Sequence, residues 1–218
     1  GVLVYSFVVL GVASTYAITG SEQILRTTGR VLARVGLRNT GESPVDVPAP
    51  AGKPRIFLLG FYWTASSLLE EITRHAPQLL PEIIVLDSNP NVNRELRHRC
   101  VPVIYGDITQ RDTLLHAGIK DAEVIVCSLP NSVLRGANNL KLLKQLRELN
   151  RTACIIMHAE LFSDISRLYA AGADYVSVPR LIEAKDLRVA IEAARTNLLP
   201  EKRAELHAEL KDGNEVIP

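Results

Sequence analysis

One turn governs what this chain can fold into. Arg55-Ile56-Phe57-Leu58-Leu59 is a short apolar run, Gly60 follows it, and Ser66-Ser67-Leu68-Leu69-Glu70-Glu71-Ile72 has the apolar spacing of a helix. A strand that feeds a helix through a glycine turn is the start of a Rossmann unit. In the G-x-G-x-x-G pattern the first glycine makes the turn, the second admits a pyrophosphate to the backbone, and the third lets helix and strand pack closely. Gly60, Tyr62 and Ala65 hold those three places. Ala65 preserves the packing, whereas Tyr62 sets a Cβ and a ring where a pyrophosphate would lie. The turn therefore predicts the fold and argues against a dinucleotide.

The alternation continues beyond this turn. Strand-like runs at 55–59, 82–87, 101–105, 122–128, 153–159 and 175–178 are separated by helical patterns at 66–75, 92–99, 111–117, 132–149 and 162–171, with a last one at 182–199. Six strands alternating with helices predict an α/β fold, a Rossmann-like doubly wound parallel six-stranded sheet of order 3-2-1-4-5-6. Thr109-Gln110-Arg111-Asp112 reads as a capping box with Asp in place of Glu. Leu187, Ala190, Ile191, Ala194 and Leu198 recur at helical spacing and form an apolar face for the sheet or for a partner. Residues 200–218 read as a solvated terminal helix.

Residues 2–19 are uncharged and mostly apolar, and as a helix they would span roughly 27 Å, near the thickness of a bilayer core. Arg26, Arg30, Arg34 and Arg38 follow, opposed by Glu22, so the positive-inside tendency puts the C-terminal side in the cytoplasm. A signal peptide is the first rival reading, against which no basic segment precedes the run and no Ala-x-Ala-like cleavage site follows it; a buried helix of a soluble protein is the other. Residues 40–52 are rich in proline, glycine and small side chains and read as a linker. The expected division is a membrane helix at 1–20, a juxtamembrane segment and linker at 21–54, the Rossmann-like domain at 55–180, and C-terminal helices with a tail at 181–218. A net charge of +1, with no basic run interleaved with aromatics, argues against nucleic acid as a partner. Cys100, Cys127 and Cys154 read as reduced, and the five histidines show no metal-ligand spacing, so no metal is expected.

In an open parallel sheet, ligands bind beyond the carboxyl ends of the strands, where the strand order reverses. Four places mark that rim. Gly60 and Phe61 open the helix N-terminus, where free amides favour an anion, and Thr64 adds a hydroxyl unless it caps the helix. Asp87, with Ser88 after it, ends the second strand and is placed to accept from ribose hydroxyls; alternatively it caps the turn Asp87-Ser88-Asn89-Pro90. Gly106-Asp107 ends the third strand and sets a carboxylate near an adenine amino group, again with a turn cap as the alternative. Ser128 lines the crevice from the fourth strand. His158 is a lone histidine near the end of the fifth and reads as packed rather than catalytic. Neither a Tyr-x-x-x-Lys nor a suitably placed Ser/His/Asp set occurs, so no catalytic residues and no enzyme activity are expected.

The Gly60 turn, Ile-Val-Leu-Asp87, Val-Ile-Tyr-Gly106-Asp107 with Leu114-Leu115-His116-Ala117-Gly118-Ile119, Asp121-Ala122-Glu123-Val124-Ile125-Val126, and Ala171-Gly172-Ala173-Asp174-Tyr175-Val176-Ser177-Val178-Pro179 appear in order. The series resembles the regulatory nucleotide-binding (RCK or Trk-N) domain of potassium transport systems. Residues 2–38 resemble the last transmembrane helix and juxtamembrane segment of Kef-like monovalent cation:proton antiporters. These resemblances imply the cytoplasmic tail of a potassium or sodium:proton antiporter in the cell inner membrane, with residues from about 21 onward cytoplasmic. They imply a homodimer that works with the transmembrane domain of the same protein and senses an adenine nucleotide, AMP rather than NAD given Tyr62. A dimerisation module with a vestigial nucleotide site is the alternative; a soluble NAD-dependent oxidoreductase fits less well.

Overall fold

The computed structural model describes residues 55–134 and 136–210. The expected membrane helix at 1–20, the segment at 21–54 and the end of the tail lie outside these residues. Among the described residues no helix is long and apolar enough to cross a membrane.

Six strands form one parallel sheet: β1 (Ile56–Leu59), β2 (Ile83–Asp87), β3 (Val103–Tyr105), β4 (Val124–Cys127), β5 (Cys154–His158) and β6 (Tyr175–Ser177). Their order is β3-β2-β1-β4-β5-β6, as the alternation predicts. β1 lies between β2 and β4, with Ile56 beside both Ile83 and Val124. The strands are short apolar runs because both faces are covered, the usual condition of a parallel sheet.

Side chains of successive strand residues point to opposite faces and divide the core in two. Leu58, Ile83, Val85 and Val103 pack under α1 (Trp63–His75) and α2 (Pro90–His98), which contribute Ala65, Leu69, Val92 and Leu96. Phe57, Leu59, Ile84, Ile125 and Ile155 face the other way, against α3 (Arg111–His116), α4 (Asn139–Leu149) and α5 (Phe162–Ala170). Two further helices follow, α6 (Pro179–Arg195) and α7 (Leu199–Leu210).

Three expectations are corrected. The helix expected at 132–149 begins at Asn139; Asn138 caps it by accepting from Lys141 N at 2.8 Å, and residues 130–134 form turns, with Val133 N and Leu134 N donating to Pro130 O and Asn131 O. The capping box at Thr109 does not form. Gln110 stands at the N-cap without a side-chain cap, and the Thr109 hydroxyl donates instead to the Asp107 carboxylate. The last helical pattern is broken into α6 and α7 after Arg195, where Asn197 adopts φ +58°.

The Ala-Gly-Ala-Asp segment is a structural joint. Arg147 on α4 donates to the carbonyls of Gly172 and Ala153, both at 2.7 Å, and pairs with Asp174. Asp174 also accepts from Ile155 N at 2.7 Å and so ties the α5-to-β6 turn to the start of β5.

Candidate functional site

The reversal of strand order falls between β1 and β4, and the loops leaving those strands meet there. Gly60 adopts φ +74°, a left-handed conformation that favours glycine. Its N–H donates to Leu86 O at 2.8 Å, which ties the turn to β2. Packing also demands glycine: a Cβ at this position would lie 2.1 Å from Leu129 Cδ1. Leu129 leaves β4 and, with Val133 and Leu134, forms an apolar wall facing the Gly60 turn.

Between these loops and the ends of β2 and β3 lies a cavity of about 590 Å³, whose lining includes Gly60, Phe61, Tyr62, Asp87, Ser88 and Asp107. Asp87 is the electrostatic centre of the rim. Its Oδ2 accepts from Phe61 N at 2.7 Å and its Oδ1 from Asn89 N at 2.6 Å. The first bond joins β2 to the Gly60 turn, and the second closes the Asp87-Ser88-Asn89 turn. Asn93, fully buried on α2, donates its side-chain amide to Asp87 O at 3.0 Å and holds the strand end from behind. Asp87 as a residue is 9% exposed. Burial raises its pKa above the ordinary value, and the amides of Phe61 and Asn89 oppose that rise.

Asp107 is exposed and also serves its own turn, Oδ1 accepting from the N–H and the hydroxyl of Thr109, each at 2.8 Å. Phe61 is buried in the core, so its amide is the part that serves the rim. Tyr62 has φ −131°, extended backbone open to any residue, so its departure from glycine concerns space and not conformation. Its ring packs on the core beside the cavity and stacks on Trp63 with centroids 4.6 Å apart.

Three of the residues expected at the site stand off the cavity lining. Thr64 is exposed on the first turn of α1, and no side chain caps that helix at Tyr62. Ser128 is half-buried beside Leu129, which takes the lining position. Gly106 has a packing role: a Cβ there would meet Thr113 Cγ2 at 2.4 Å. His158 faces a separate cavity of about 150 Å³ with Asn131, Asp164 and Arg167. Burial lowers its pKa and the Glu160 charge opposes this, while its carbonyl accepts from Asn139 Nδ2 at 3.0 Å. Sequence reasoning missed the apolar wall of Leu129, Val133 and Leu134. The paired asparagines Asn138-Asn139 carried the signal, since a capping residue there turns the preceding segment into a loop.

A doubly wound sheet whose β1 turn and β2 carboxylate meet at the switch point defines a Rossmann-type domain. The TrkA-N domain family matches residues 56–179, and the chain belongs to that family. An uncharacterized protein of Methanothermus fervidus is 28% identical over 137 residues, which is 62% of this chain and 20% of that protein, so this chain matches about a fifth of its relative's length. The TrkA-N domain of the inner membrane protein ybaL from Escherichia coli superposes with a TM-score of 0.54 at 20% identity, over 64% of this chain and 98% of that one. GsuK is also similar, and two of its structures bear this out. Its RCK domain gives a TM-score of 0.52 at 24% identity, covering 73% of this chain and 31% of that one. A form bound to ADP gives 0.50 at 23%, covering 68% and 36%.

Proposed function

We propose that this TrkA-N domain is a nucleotide-sensing regulatory module, and that the chain is the cytoplasmic tail and last membrane helix of a potassium or sodium:proton antiporter. The observation that carries the first part is the Asp87 carboxylate, fixed by the Phe61 amide on the rim of a cavity at the switch point. Each carboxylate oxygen keeps a second lone pair for a ribose hydroxyl. Apolar Leu129, Val133 and Leu134 offer a face for a base, and the uncapped N-terminus of α1 offers amides to a phosphate. The structure of GsuK bound to ADP supports an adenine nucleotide. Tyr62 at the rim favours a mononucleotide such as AMP over NAD. The apolar run at 2–19 and the arginines after it support attachment to the inner membrane, with the domain in the cytoplasm.

The module acts as a homodimer through α6. None of the 17 residues of that helix is buried, and Ile182, Leu187, Ile191 and Leu198 are exposed on this part of the chain. A second reading, a dimerisation module with a vestigial site, is favoured by the two amides that already occupy Asp87. Calorimetric titration of the whole chain with AMP, ATP and NADH separates the two. The expected result is saturable AMP binding, weakened about tenfold or more by Asp87→Ala, the effect of losing hydrogen bonds to a charged group. Absence of binding by all three nucleotides would leave the dimerisation module.

A further inference from the structure

We propose that the cavity beside His158, at the carboxyl ends of β4 and β5, binds a small uncharged polyol through neighbouring hydroxyls. The cavity measures about 150 Å³, and its lining includes Asn131, Asn138, His158, Asp164 and Arg167. His158 is 9% exposed, so more than nine-tenths of it is buried. Its carbonyl accepts from Asn139, but among the described residues neither ring nitrogen has a hydrogen-bond partner. Nor is either enclosed, as the partnerless Asn93 Oδ1 and Gln145 Nε2 are; they open on the cavity that His158 lines. A buried polar ring that meets a void without a partner points to a ligand in that void. Burial keeps the imidazole neutral at pH 7, so one nitrogen donates and the other accepts.

Asp164 is the second unmet group. Its side chain is 21% exposed, and among the described residues its carboxylate accepts no hydrogen bond; Arg167 Nη1 stands 3.7 Å away, beyond hydrogen-bond reach. Asn131 is held in place by its other polar groups. Its N–H donates to Glu160 Oε2 at 3.2 Å and its Oδ1 accepts from Asn139 N at 2.8 Å, which leaves its side-chain NH₂ for the cavity. Charge then selects the ligand. Asp164 and Arg167 offset each other and the other polar lining groups are neutral, so nothing here holds a net ion. A hydroxyl donates one bond and accepts two, and so answers a lining where donors stand beside acceptors. A zwitterionic amino acid would instead compete with the Asp164–Arg167 pair for the same charges. Gly60, Asp87 and Asp107 line the other cavity, so the proposal stands apart from the nucleotide reading.

The test follows the His158 ring nitrogens and the Asn131 side-chain amide by ¹⁵N NMR in the full chain, titrated in separate arms with erythritol, D-ribose and L-serine. Saturable shifts of both signals are expected with a polyol, and none with serine. The Asn131 amide also reports the affinities of the variants. Asp164→Ala should weaken polyol binding about tenfold or more, the effect of losing a hydrogen bond to a charged group. His158→Phe keeps a ring, removes both nitrogens and should weaken binding about fivefold. Asp164 lies outside the core, so its variant decides the matter even where the His158 variant does not fold. No saturable shift with either polyol, a saturable shift with serine, or an affinity unchanged in Asp164→Ala would overturn the proposal.

Discussion

Gly60 carries two demands at once, a left-handed backbone and the absence of a Cβ against Leu129. Leu129 is itself buried and has little room to withdraw. Gly60→Ala should therefore destabilise the domain by about 2–4 kcal/mol, the sum of a left-handed L-residue and an overpacked contact. Thermal denaturation of the two proteins measures this, and a loss below about 0.5 kcal/mol would mean that the turn rearranges at little cost. His158 gives a pH-dependent expectation. Burial holds its folded pKa below the ordinary 6.5, so between these values the unfolded chain binds a proton that the folded chain does not. Its contribution to stability is complete above 6.5 and is lost as pH falls through that window. Asp87 works in the opposite sense, because its raised pKa favours the folded state on acidification. Comparing wild type with His158→Asn isolates the first effect: the melting temperature should fall less in the variant between pH 7 and about pH 5. Equal falls would show that the ring titrates as if free.

At the scale of elements, what the sequence disclosed depended on whether local or distant bonds set each boundary. The strands were legible because buried parallel strands are short apolar runs, as Ile83-Ile84-Val85-Leu86 shows. The start of α4 was not. Val133 and Leu134 continue the apolar pattern of the helix, yet Asn139 ends that continuity by donating its side-chain amide to Leu129 O and His158 O, bonds across 10 and 19 residues. No periodicity reports such pairings. The site divides in the same way. Gly60, Asp87 and Asp107 were legible from their places after strands, whereas the apolar wall depends on the path of the loop after β4. α6 was expected as an apolar face, and its lack of buried residues gives that expectation an energetic consequence. Ile191, 63% exposed, belongs to a surface that a second copy would cover. Ile191→Glu should yield monomers by analytical ultracentrifugation, since it would bury a charge in an apolar contact. A parent that is monomeric at high concentration would remove the idea.

For the whole molecule, the order β3-β2-β1-β4-β5-β6 is one of the doubly wound orders that the alternation of elements and right-handed parallel crossovers allow. Among the described residues alone, both core layers hold enough apolar side chains to cover the two faces of the sheet, and on that ground the domain is expected to fold without the preceding segment. Removing residues 1–38 should give a folded protein that keeps a cooperative thermal transition without detergent. Loss of that transition in the shortened chain, with the full chain dispersed in water, would make residues 2–19 part of a core instead of a membrane helix.

The stacked pair at the cavity rim also makes the molecule an optical instrument. Trp63 is the chain's only tryptophan, so its emission originates at one point, 4.6 Å from the ring of Tyr62. Trp63 is 61% exposed and responds to whatever reaches the neighbouring Tyr62. Reduced nicotinamide absorbs where indole emits and adenine does not, so energy transfer from Trp63 would distinguish NADH from AMP in the same cavity with no label attached.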